Sequence, residues 1–197
     1  MRSSFRSGWP LLTMALVACS RTPGLDTGGG NVIDSVLPMP VMLQRFRQDL
    51  PEVTELHGKL TDRDTLVRRV VAALETNDTL AFERVAVNRA EWAWLYFPTD
   101  VLARPPYELP PGLAWFQLQE ENRKGVLRAL RTFGGHQLDY QGYRCATAPT
   151  VEGENRVWTG CSVALGVDGA APADLRLFSA ILEREGRFLV LSYANDF

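Results

Sequence analysis

The glycine pair Gly134-Gly135 divides this chain into two hydrophobic patterns that no single type of secondary structure satisfies. Before it, apolar residues recur at intervals of three and four; after it, they fall into short runs separated by turn residues. From Ala114 to Phe133, Trp115, Leu118, Val126, Ala129, Leu130 and Phe133 share one helical stripe, while Glu120, Lys124, Arg128 and Arg131 share the opposite one. The glycine pair stops this helix. Beyond it the runs 137–145, 156–166, 174–183 and 187–195 read as strands, with turns at Gly153, at Asp168-Gly169 with Pro172, and at Glu185-Gly186. Connections this short predict an antiparallel meander of four strands. Phe188-Leu189-Val190-Leu191 is apolar on both faces and predicts a central last strand. Helices first and a meander last make the chain α+β, with helices packed on a curved four-stranded sheet.

Upstream, Thr61 precedes Asp62 and Asp64 as an N-cap and opens a helix that places Leu66, Val67, Val70, Val71 and Leu74 on one arc. Asn77-Asp78 ends that helix and caps a second from Thr79 to about Val87. A shorter helix is expected over Met42–Leu50, where Leu43, Phe46 and Leu50 repeat. The segment from Glu91 through Trp92, Ala93, Trp94, Leu95, Tyr96 and Phe97 to Pro98 is apolar on every side in either conformation, so it must be buried all round. Four prolines between Arg104 and Gly112 exclude regular structure there and predict a stiff loop.

The first eighteen residues hold Arg2 and Arg6, no acid, and an apolar run from Leu11 to Ala18. That run is too short for a permanent membrane helix and reads as a signal peptide. It ends in Leu16-Val17-Ala18-Cys19, which resembles the lipobox of bacterial lipoproteins. The resemblance implies acylation of Cys19, cleavage before it, and anchoring by lipid; each buried methylene contributes about 0.8 kcal/mol, so two or three chains hold firmly. Residues 19–35, with three successive glycines, then form a tether reaching about 20–25 Å, and residues 36–197 form one domain. Ser20 after the cysteine implies an outer-membrane address facing the periplasm. Removing Arg2 and Arg6 leaves 19 of the 21 basic residues against 23 acids, a net charge near −4 that offers nucleic acid no footprint.

Export also bears on Cys145 and Cys161. In an oxidising compartment such a pair favours a disulfide over a metal site, and a hairpin centred on Gly153 sets the two opposite each other. With only His57 and His136 beside them, no metal set is expected.

The arc Leu66–Leu74, the Asn77-Asp78 junction, the long helix before the strands and the ending Gly186-Arg187-Phe188-Leu189-Val190-Leu191-Ser192 resemble the nuclear transport factor two-like superfamily, a cone of helices on a curved sheet. A cystatin-like layering is the structural alternative. The resemblance implies a pocket between helices and sheet holding an acid, tyrosine or histidine in the enzymatic members. Here His136 falls in a loop and His57 upstream of the first firm helix. Asp139 and Tyr140 are adjacent strand residues that face opposite sides, and Gly28-Gly29-Gly30 lacks the lysine of a phosphate loop. Glu91 before the apolar segment calls for a partner such as Arg89 or Arg144.

Asn122 lies within the apolar stripe of the long helix, one turn from Leu118 and Val126, with Gln119 at its border. A buried amide must satisfy backbone groups or face a cavity. Trp92, Trp94, Tyr96, Trp115 and Phe116 concentrate aromatic surface that builds either a core or, with Asn122, an apolar pocket. The expected function is a membrane-anchored, non-enzymatic lipoprotein whose domain binds a small apolar ligand or an envelope protein, without cofactor; the alternative is a small cone-fold isomerase or hydrolase.

Overall fold

A computed structural model describes residues 37–197, which pack on themselves as one unit; Cys19 and the expected leader and tether lie outside the described residues. Helix α1 spans Met39–Arg47 and α2 spans Arg63–Glu75. The cap of α2 is Asp62 rather than Thr61, its carboxylate accepting the Thr65 N–H at 2.8 Å. Asp78 caps α3, Thr79–Arg84, after Asn77 turns the chain with a positive φ of 52°. A short α4, Arg89–Glu91, runs directly into a π-helical turn, Trp92–Tyr96, and a 3-10 turn, Phe97–Thr99. Pro98, which has no N–H to donate, coincides with that tightening. Helix α5 occupies Pro111–Phe133, starting on a proline whose missing N–H would have been unpaired in any case. Among the described residues no helix is long and apolar enough to cross a membrane.

The β region is antiparallel but forms two sheets. Strands β1 (Leu138–Arg144), β4 (Ser162–Val167) and β5 (Ala173–Leu175) pair in the order β1-β4-β5. Strands β2 (Thr150–Glu152), β3 (Asn155–Thr159), β6 (Ala180–Arg184) and β7 (Arg187–Ser192) pair in the order β2-β3-β6-β7. The four expected runs do lie side by side in chain order, yet the second and third break midway and contribute to both sheets, while the first holds β1 alone. The run 156–166 breaks at Gly160, with φ 62°, and the run 174–183 breaks between Leu175 and Ala180. A single four-stranded meander is therefore corrected to a bent one, and β7 lies at the margin of its sheet rather than inside it. Its apolar faces are covered differently: Ala86 pairs with Val190 in a parallel bridge, and α5 packs over the strand's end. Glu185 and Gly186, both at positive φ (51° and 70°), close the β6–β7 hairpin with the twist a two-residue turn requires.

The sulfurs of Cys145 and Cys161 lie 2.08 Å apart, at disulfide distance. They sit where the hairpin arms change sheet, one step beyond the Arg144↔Ser162 pair of β1 and β4. The turn at Gly153 closes the β2–β3 part of the same arms.

Two apolar clusters fill the space between helices and strands. One joins α2, α3 and the end of α5 to both sheets through Leu66, Val70, Leu74, Phe82, Phe133, Val163, Ile181 and Val190. The other surrounds Trp92, 2% exposed, which stacks on Phe97 at 4.4 Å and meets Phe46 and Trp115 at 5.6 and 5.4 Å. Asn155, fully buried on β3, donates to Leu95 O at 2.7 Å and to Thr99 Oγ1 at 3.0 Å, which ties the π-helical turn to the sheet.

Candidate functional site

A groove of about 570 Å³ opens between α3 and α5, lined in part by members of both clusters. Its two walls come from short-range helical spacing. Thr79, Phe82 and Glu83 recur on α3, and Trp115, Gln119, Asn122, Arg123, Val126 and Leu127 recur on α5. Ala86, Val87, Asn88 and Arg89 close one side, and Tyr193 lies beneath.

Backbone pairing fixes the floor. Val87 N donates to Val190 O at 3.0 Å, and Val190 N donates to Val85 O at 2.8 Å, so the segment leaving α3 lies along β7. The Tyr193 hydroxyl donates to Phe82 O at 2.9 Å, and burial pushes its pKa up, so it remains a neutral donor. Asn122 holds the other wall: its Oδ1 accepts the Tyr193 N–H at 2.7 Å, and its Nδ2 donates to Leu191 O at 3.4 Å. Three residues on, Gly125 lets the chain touch the helix backbone, since a Cβ there would stand 1.8 Å from Tyr193 O. One turn further, Arg128 donates to Asn195 Oδ1 and O at 2.8 and 2.7 Å. The amide that interrupts the apolar stripe thus satisfies backbone groups, and it does so at the edge of an open groove.

A capped turn fixes the groove's Arg89 end. Asn88 Oδ1 accepts the Glu91 N–H at 3.0 Å, and Glu91 Oε2 accepts the Asn88 N–H at 2.9 Å, a reciprocal capping box. The other Glu91 oxygen accepts the backbone N–H of His57 and lies 2.8 Å from its Nδ1. Glu91 is 1% exposed, so its partner is His57, and the expected arginine partners go elsewhere. Arg144 pairs with Asp174 at 2.6 Å, and the Arg89 guanidinium stacks over Phe46 at 4.5 Å.

The aromatic candidates separate. Trp115 joins Asn122 in the groove, whereas Trp92 and Tyr96 are core residues. Trp94 lines a different, more polar cleft with Arg47, whose guanidinium lies 4.1 Å from the ring centroid and donates to Ala93 O at 3.0 and 2.7 Å. Burial chiefly raises the Tyr96 pKa, with the charge of Asp100, itself 7% exposed, acting in the same direction. Burial beside Asp100 likewise raises the Glu152 pKa. On β1, Asp139 is exposed while Tyr140 donates to Asp64 at 2.6 Å, so the two do not converge on a substrate. His136 pairs with Asp168 at 2.7 Å on the surface. Among the described residues no group of three or more His, Cys, Asp or Glu side chains could hold a metal ion.

Phe82, Tyr193 and Arg89 belong to the groove without having stood out in the sequence. The Asn88-x-x-Glu91 spacing carried a local signal for the capped turn that presents Arg89. Tyr193 had no local signal, because its partners are far away in sequence. Comparison with protein-family models, curated proteins and solved structures finds no match to this chain.

Proposed function

We propose that this chain is an envelope lipoprotein, anchored through Cys19, whose folded domain binds a small apolar ligand in the α3–α5 groove without cofactor or catalysis. The groove carries the reading: its volume falls within the roughly 300–1,000 Å³ of ligand sites, and most of its exposed surface is apolar although eight of its fifteen lining residues are polar or charged. Phe82, Ala86, Val87, Val126 and Tyr193 supply a dry surface, and the spare N–H of Asn122 and the amide of Gln119 supply orientation. Both helices also carry exposed apolar side chains, Leu80 at 59% and Phe116 at 61%. The cone-like closure and the nuclear transport factor two-like kinship belong to this proposal too, although the ligand would sit outside the filled layer between helices and sheet.

Titration with the neutral probe N-phenylnaphthylamine, followed through tryptophan emission, tests the reading. The wild-type domain should bind the probe saturably. Ala86→Trp should abolish binding by filling the groove while the domain still melts cooperatively. A wild-type domain that binds no probe overturns the proposal.

A further inference from the structure

We infer that the ligand is a single-chain amphiphile with an anionic head, a long-chain carboxylate, whose head meets Arg89 and whose tail follows α5; this rests on the groove being the binding site. Along α5 the lining runs from Trp115 to Leu127, about 18 Å at the helical rise, a length that an extended chain can follow. Its floor, Phe82, Val126 and Tyr193, is suited to an extended hydrocarbon.

The charges along the rim are unequal. Arg123 is neutralised by Glu120 at 2.9 Å. Arg89 makes no ion pair among the described residues; a ring face holds it instead, over Phe46. A guanidinium stacked in this way keeps its N–H edges free, and that planar fork matches a carboxylate bidentately. Its backbone is also fixed, because the Asn88–Glu91 box and His57 hold the turn from which it projects. Glu83 on the α3 wall disfavours a head placed on that side, so the amphiphile has one orientation.

The test compares dodecanoate with dodecanol, both below micelle formation, as competitors for N-phenylnaphthylamine on the unit 37–197, which contains both apolar clusters. Dodecanoate should compete about tenfold more tightly than dodecanol, as one charge-assisted contact implies. Arg89→Gln should erase that difference while the probe still binds saturably, and Arg123→Gln should preserve it. Equal competition by the two compounds on wild type, with the probe still bound, overturns the anionic head and leaves the groove standing. Absence of probe binding removes the groove reading itself, and with it this inference.

Discussion

Asn122 spends both ends of its carboxamide on the chain that crosses α5, so its removal is a question of backbone satisfaction before it is one of binding. Asn122→Leu leaves the Tyr193 N–H without its partner at 2.7 Å and should cost about 1–3 kcal/mol in a denaturant titration, with the groove still present. A variant as stable as wild type would show that water replaces the amide. The sequence marked this residue, because one polar side chain on an apolar stripe must be accounted for; its partner was illegible, being 71 residues away. Glu152 makes a separate case. Burial beside Asp100 raises its pKa in the folded state above the ordinary 4.5, so the unfolded chain releases that proton first as the pH climbs. Stability is lost as the pH rises through this range. Glu152→Gln should therefore melt higher than wild type near neutral pH and indistinguishably from it well below pH 4.5, measured as Tm across a pH series. The same residue offered nothing to sequence reasoning, since it sits beside an ordinary turn glycine.

At the scale of elements, α5 and the bent strands each turn on a close approach that patterning could not reveal. The stripe of α5 was legible from Trp115 to Phe133, but nothing in the pattern marked Gly125. It is where Tyr193 O meets the helix, with only 1.8 Å left for a Cβ. Gly125→Ala should cost about 3 kcal/mol or more, because backbone must move, whereas Gly112→Ala, with nothing within 4 Å, should stabilise by up to about 1 kcal/mol. Similar effects at the two positions in chemical denaturation would mean that residues 191–195 do not lie on α5 as described. In the strands, alternation showed which runs were extended and in which order they lie. It could not show that two of them bend between two sheets, since a period of two looks the same on either side of a break. The cysteines stand at that bend, and a link closing a separation of 16 residues stabilises by about 3 kcal/mol on the chain-entropy account. Intact mass should show both thiols protected from alkylation until reduction, and the reduced domain should unfold at lower denaturant. Free alkylation without reductant would exclude the link.

For the whole molecule, address and fold are separable, and that separation is itself testable. Every described member of the two apolar clusters falls between Met39 and Phe197, so no packing described for the domain depends on the expected anchor. The proposed delivery signal, the lipobox-like Leu16-Val17-Ala18-Cys19 with the apolar run before it and the glycines after it, lies outside that range. Such a signal is a short linear pattern, whereas a groove arises from helices that meet only after folding. If Cys19 carries the lipid, a fatty-acid analogue fed to the producing cells should label the wild-type protein and leave Cys19→Ala unlabelled. The labelled protein should sediment with outer membranes, and the variant should be missing from that fraction. Circular dichroism melts of the two purified forms should nevertheless coincide, as the substitution lies upstream of the unit that begins at Leu37. An unlabelled wild type would remove the anchor from the proposed function and leave the groove untouched, whereas a melting difference of several degrees would show that the lipid or the upstream segment contributes to the fold.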